Sequence, residues 1–459
     1  MRPTTRRRLR QCDAHLCPSQ HPALFLPASS SCSSGRAASS VPVPLAIARA
    51  AAEQEVPIRF FDCNVIVGPR PFKHVHGRWS AEHLFDDMEL CEIDGALVRH
   101  ALCSVPPYFD AAEGNARLRA EFAKEDAPGR LHAAWVLSPL GFPGWFADSE
   151  SLLGALTEHN VRAVVLPPRN DGFSLSHQVM GETFLALERA AILTFIDAGW
   201  SQPSGDQFAY FDELLSRYPN LPVVLMHGSW SSQWHIIQLM RRHSNLHLEF
   251  STLQANRVLE RFAAEFGDTR LLYGSGGTNM SMGAARALVD WANLPLKSKQ
   301  RIASGNLLRL LKLSDDALPP PRASATLRRP RQTDDILLME ARTGRPLSCT
   351  VLDAHSHVLQ DGGQTAGTII MPQGDAAGIL ELNISCGIDA VAMMSWSGPV
   401  NGDCVAGNAV VANAVARFPG RCLGLCTVDP SYMSRDEMIT EFEHCHLECG
   451  FVGEYSLLL

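Results

Sequence analysis

Three residues with chemical potential sit close together in Val351-Leu352-Asp353-Ala354-His355-Ser356-His357-Val358. Apolar residues lead into Asp353, and the two histidines that follow are one residue apart. On a β-strand, alternate side chains share a face, so His355 and His357 project together. Neutral imidazoles placed in this way can clasp one divalent metal ion, with further ligands supplied from elsewhere in the chain. A second candidate pair is Asp197 and His227, each closing a short apolar run. A carboxylate beside an imidazole orients the ring and favours its charged form, either as a general base or as a stabilising pair. Arg169, Trp200 and Trp230 follow neighbouring runs and could line a pocket, with Arg169 clasping a carboxylate. His444, Cys445, His446 and Cys449 are metal-ligating residue types. However, Phe442, Cys445 and Cys449 recur at helical spacing, which reads as the buried stripe of an amphipathic helix.

The elements needed to position these residues can be read from the order of apolar runs. Ile58–Val67, Gly95–His100, Leu131–Leu137, Val161–Leu166, Ala191–Asp197, Pro222–His227, Leu246–Ser251 and Arg270–Gly274 read as strands. Helical spacing lies between most of them, as in Phe184–Ala190 and Gln207–Tyr218, and Gln300–Leu313 suits a closing helix. A strand followed by a helix, repeated around the chain, predicts a closed (β/α)8 barrel over 57–313. In such a barrel Asp197 and His227 end adjacent strands on the face where barrel enzymes hold their sites. Residues 314–348, with Pro319-Pro320-Pro321 and an arginine-rich run, read as a linker. The rhythm resumes over 349–459, with strands at Cys349–Asp353, Ile388–Met394, Cys422–Val428 and Phe451–Leu458. Helices at Ala376–Cys386, Gly407–Phe418 and Ser434–Cys449 separate them, so this part predicts a half barrel of strands one to four.

Self-comparison ties the two parts together. Phe60-Phe61-Asp62-Cys63-Asn64-Val65 matches Val351-Leu352-Asp353-Ala354-His355-Ser356, and Gly114-Asn115-Ala116 matches Gly407-Asn408-Ala409. Pro128-Gly129-Arg130 likewise matches Pro419-Gly420-Arg421, with order and spacing kept. This predicts a tandem duplication, complete in the first copy and cut after the fourth strand in the second.

Asp353-Ala354-His355-Ser356-His357 resembles the first-strand D-x-H-x-H signature of the amidohydrolase-related family of metal-dependent hydrolases and decarboxylases. Leu225-Met226-His227-Gly228 looks like its sixth-strand histidine, and Leu272-Tyr273-Gly274-Ser275 looks like its eighth strand. The resemblance implies a (β/α)8 barrel in which strands one, five and eight hold a zinc-like ion that activates water. The first copy departs from that pattern: Asn64 and Ile66 replace the histidine pair, Asp197 stands at the fifth strand, and Gly276 stands where an aspartate belongs. No metal is therefore expected there, although His74 and His76 could supply substitute ligands. The second copy keeps His355 and His357 as metal ligands, with zinc the expected ion, and lacks the remaining strands.

The function expected from the resemblance is hydrolysis of a small, cyclic or carboxylated substrate by metal-activated water. A non-oxidative decarboxylase of the same family, or a non-catalytic binding or scaffold protein with both metal sites degraded, are the alternatives. Composition narrows the partners. A net charge of −8 gives no reason to expect nucleic acid or an anionic membrane, and no apolar run is long enough to span a bilayer. The 13 cysteines, scattered without a framework, read as reduced thiols in the cytoplasm. The half barrel would leave an apolar face to be covered by a second copy or by docking onto the first barrel. Residues 1–56 are arginine- and serine-rich with few acids, which fits a disordered tail, a targeting segment or a misplaced start.

Overall fold

The computed structural model describes residues 58–69, 79–103, 110–123, 129–141, 145–166, 174–197, 205–229 and 232–319 except 254 and 256. It also describes 336–455 except 338–339, 341–346, 361–363, 366–368, 371–372, 397 and 400–401. The expected N-terminal tail and most of the expected linker lie outside the described residues.

Eight parallel strands follow one another in chain order around one sheet. They are β1 (Phe61–Val67), β2 (Gly95–His100), β3 (Leu131–Val136), β4 (Ala163–Leu166), β5 (Leu193–Asp197), β6 (Val223–Met226), β7 (Leu246–Glu249) and β8 (Leu271–Leu272). The sheet closes through β1, whose Cys63 N–H donates to Tyr273 O at 3.0 Å while Gly276 N–H donates to Asn64 O at 2.9 Å. Helices α1 (Ala81–Leu90), α2 (Ala111–Phe122), α3 (Ser149–Glu158), α4 (His177–Ala190), α5 (Gly205–Arg217), α6 (Gln233–Arg242), α7 (Val258–Phe266) and α8 (Met282–Asp290) return the chain between strands. Parallel strands need such crossovers, and each helix buries one stripe on the sheet's outer face.

The core has two shells, as a strand period of two requires. Val65, Val98, Val164, Ile196 and Leu225 point outward to meet helix residues such as Leu84, Phe184 and Ile237. Phe61, Leu97, Val136, Phe195 and Met226 point inward and fill the barrel, capped by Leu307, Leu308 and Leu311. Each such buried side chain contributes about 1.5–3 kcal/mol. The closing segment differs in detail from the single helix expected over Gln300–Leu313. It is a helix at Leu296–Gln300, a wider π-turn at Arg301–Gly305 and a second helix at Asn306–Leu311.

Beyond the linker, β9 (Leu352–Val358), β12 (Ala390–Ser395), β13 (Cys422–Thr427) and β14 (Gly453–Tyr455) form a second parallel sheet in that order. A short β10 (Gln364–Thr365) and β11 (Ile369–Ile370) pair separately. The first strand corrects the expected Cys349–Asp353. It starts at Leu352 and runs to Val358 because β12 pairs with it as far as Ser395, so both histidines lie inside the ladder. The last strand is shorter than expected, at Gly453–Tyr455, and 456–459 lie outside the described residues. Helices Ala376–Ser385, Cys404–Arg417 and Arg435–Glu443 intervene. The expected helix Ser434–Cys449 gives way at its C-terminal end to a π-turn, His444–Glu448.

Local contacts recur between the two sheets. The N–H of Asn64 donates to Asp62 Oδ1 at 3.0 Å, and that of His355 donates to Asp353 Oδ1 at 3.0 Å. Phe60 N–H meets Asp94 Oδ2 at 2.8 Å, and Val351 N–H meets Asp389 Oδ2 at 2.8 Å. Asn115 clasps the backbone of Val136 through both ends of its amide, and Asn408 clasps Thr427 in the same way. Both first strands shift register just after the aspartate.

Candidate active site at the barrel mouth

The C-terminal ends of β1, β2, β5, β6 and β7 bring polar side chains onto an otherwise apolar barrel axis. Asp197 is the last residue of β5, and His227 follows β6 directly. His227 has φ of 56°, a left-handed turn that ends the strand and costs a non-glycine residue about 1–2 kcal/mol. Tertiary contacts offset that cost. Its ring is 2% exposed, and its Nδ1 lies 2.6 Å from Asp197 Oδ1.

On the other side of the ring, Nε2 lies 3.1 Å from Asn64 Nδ2. The Asn64 amide is oriented by its remaining partners: Nδ2 also donates to Glu249 Oε2 at 3.1 Å, and Oδ1 accepts from Arg99 Nη1 at 2.7 Å. With an amide N–H directed at it, Nε2 must accept, so Nδ1 carries the proton and donates to Asp197. That tautomer is the one a general base acting through Nε2 requires. Glu249 is fully buried, and its Oε1 accepts the Ser251 N–H at 2.5 Å. Asp62, also fully buried, accepts from the backbone of Asn64 and Ser275, each at 3.0 Å. Burial pushes the Asp62 carboxyl up to about 7, against the pull of these hydrogen bonds. Burial also lowers the Arg99 guanidinium from its usual value, opposed by the nearby charges of Asp197 and Glu249.

The residues in the barrel do not fit a resident divalent metal. Asn64 commits its amide to four side chains, Ile66 is a buried hydrocarbon, and Gly276 has no side chain. That leaves one imidazole and the Asp197 carboxylate already bound to it, where catalytic zinc takes three protein ligands, and a buried guanidinium nearby repels a second cation. In the second sheet, His355 and His357 do face each other, Nε2 to Nε2 at 3.2 Å, with ring centroids 5.0 Å apart. Burial, and then the neighbouring His355, hold the His357 imidazole below its usual value, favouring the neutral form that binds metals. This pair supplies two nitrogens, fewer than zinc requires. Among the described residues no group of three or more His, Cys, Asp or Glu side chains is placed to hold a metal ion.

The structure thus joins Asp197 to His227 and His355 to His357. Arg169, Trp200 and Trp230, together with His74 and His76, lie outside the described residues. In the C-terminal cluster, Cys445 is 1% exposed in the core, and His444 contacts Glu448 and Cys449 on the surface. Arg99 and Glu249 were missed by the sequence reading. Their only signal was a single charge inside an apolar strand, Leu97-Val98-Arg99 and Leu246-His247-Leu248-Glu249. A buried charge of that kind calls for a partner.

Residues 89–313 match the family model described as amidohydrolase. Solved structures with similar folds include an uncharacterized TIM-barrel protein from Bordetella bronchiseptica, 16% identical, covering 55% of this chain and 98% of its own, with a TM-score of 0.44. Another is 5-carboxyvanillate decarboxylase from Sphingomonas paucimobilis, 15% identical over 56% of this chain and 100% of its own, at 0.43. A third is dihydroxybenzoic acid decarboxylase from Polaromonas sp., with bound manganese and an inhibitor, 13% identical over 55% of this chain and 97% of its own, at 0.42. No curated protein matches. The family match runs from the end of α1 to the close of the barrel.

Proposed function

We propose, with that partial family match in view, that the barrel is an amidohydrolase-type acid–base site that acts on a small, carboxylated substrate without a resident metal in the first copy. The observation that carries this reading is the Asp197–His227 contact at 2.6 Å, with Nε2 held as an acceptor by Asn64 at 3.1 Å. A water that reaches Nε2 would give its proton there as its oxygen attacks the acyl carbon of the substrate and the bond to the leaving group breaks. Asp197 then stabilises the imidazolium, and the proton returns to the leaving group. Arg99 supplies fixed positive charge beside the reacting centre. Arg169, Trp200 and Trp230 are proposed to line the same pocket. The test is a panel of aryl esters, lactones, amides and aromatic carboxylates turned over in the presence of chelator. Asp197→Asn should lower kcat by about 10²- to 10⁴-fold. An unchanged kcat removes the dyad from the mechanism, and a wild-type chain that turns over none of the panel favours the binding-protein alternative.

A second reading applies to the other sheet, on the observation that His355 and His357 converge at 3.2 Å. There the sheet is proposed to be part of a duplicated, metal-dependent copy, which the recurring Asp62/Asp353 and Asn115/Asn408 contacts support. The two imidazoles would hold zinc or manganese together with ligands from outside the described residues, and the ion would supply an activated water. Calorimetric titration of the chain with zinc should give one site that His355→Ala/His357→Ala abolishes. Equal zinc affinity in the double variant would place the metal elsewhere.

A further inference from the structure

The Arg99 guanidinium has unused binding capacity that the network around His227 does not explain. The side chain is 2% exposed, and its Nη1 is committed to Asn64 Oδ1 at 2.7 Å. Its Nε and Nη2 are enclosed and meet no acceptor among the described residues. Glu249 accepts from Asn64 and Ser251, and Asp62 accepts through Oδ1 from the backbone of Asn64 and Ser275, its Oδ2 being likewise enclosed without a partner among the described residues. Buried donors normally find partners, and an enclosed pair without one marks a position for a ligand or ion.

The two vacant donors are not an arbitrary pair. Nε–H and the adjacent Nη2–H form one edge of the planar guanidinium, with parallel N–H bonds spaced to match the two oxygens of a carboxylate. A single acceptor oxygen or a chloride ion would satisfy only one of them well. We infer that Arg99 holds a substrate carboxylate on its Nε–Nη2 edge, so that an arginine supplies the positive charge of this barrel mouth in place of a metal ion. Asn64 fixes the guanidinium from its Nη1 side and lies between Arg99 and His227. The carboxylate edge and the imidazole Nε2 are thereby joined through the guanidinium and one amide, Nη1 to Asn64 Oδ1 at 2.7 Å and Asn64 Nδ2 to Nε2 at 3.1 Å. The weakened positive form of the buried guanidinium accords with this, because an incoming anion offsets the desolvation that lowers it.

This inference deepens the acid–base reading of the same site and fails separately from it, since it concerns binding and not turnover. The probe is benzoate, titrated calorimetrically into the full chain in the presence of EDTA. One saturable site per chain is expected, with a rise in Tm. Arg99→Lys keeps the charge and loses the fork, and should weaken benzoate by about tenfold or more with circular dichroism unchanged. Arg99→Met should abolish binding. If either variant fails to fold, the wild-type chain with ¹⁵N-labelled arginine decides: one protected Nε–H resonance should shift as benzoate saturates. Absence of saturable binding at millimolar benzoate, equal affinity in wild type and Arg99→Lys, or arginine resonances that do not move would each overturn the inference. Benzoate bound at Arg99 with no turnover of any substrate would leave the fork standing and remove only the acid–base reading.

Discussion

Asp62 shows how a residue at the edge of the site couples the fold to pH. Its carboxyl is fully buried, and burial lifts it from the unfolded value of 3.8 to about 7. Between those values the folded chain binds a proton that the unfolded chain has released. Stability contributed by the protonated form is therefore present below about pH 4 and lost as pH rises through 7. A shift of this size corresponds to at most about 4 kcal/mol. Asp62→Asn keeps an oxygen for the N–H groups of Asn64 and Ser275 and removes the ionisation. Urea unfolding across pH 4 to 8 should show a shallower decline in the variant and higher stability than wild type at pH 8. Parallel curves for the two proteins would mean that Asp62 is not the titrating group.

At the scale of elements, the eight strands were legible because each is an apolar run with outward and inward residues alternating, and that pattern is local. Helix α5 and the body of α4 were legible for the same reason, through their 3.6-residue stripes. The site was half legible. Asp197 and His227 end adjacent strands, so adjacency alone predicts their contact. Arg99 and Glu249 meet Asn64 only after the barrel closes, and Asn64 is separated from Glu249 by 185 positions, which no local pattern reports. The turn after β8 shows the same dependence on closure. A Cβ on Gly274 would come within 2.6 Å of the Glu249 side chain, which is itself fully buried and hydrogen-bonded. Gly274→Ala should therefore cost about 1–3 kcal/mol by forcing Glu249 off Asn64. Gly154→Ala on α3, where a Cβ meets nothing within 4 Å, should instead gain about 0.5–1 kcal/mol. Chemical denaturation of both variants checks the contrast, and a neutral Gly274→Ala would show that the β8 turn yields without disturbing the network.

For the molecule as a whole, the decisive fact is that the apolar cores are separate. The barrel's inner and outer shells draw only on residues before 319, while the second sheet packs Val358, Val391, Met393, Val411 and Phe451 around a core of its own. That second core is small, and Leu352, Ile384 and Val405 beside it are more than half exposed. A sheet with few buried side chains recovers less of its chain entropy, so it should melt below the barrel. Scanning calorimetry of the full chain should resolve two transitions. Val411→Ala, at a fully buried position of the second core, should lower the first alone, and Leu84→Ala, under the barrel's first helix, should lower the second by removing about 2–5 kcal/mol. One transition shifted by both substitutions would mean that the two sheets fold as a single unit, and the second sheet would then have to be counted as part of the barrel's stability.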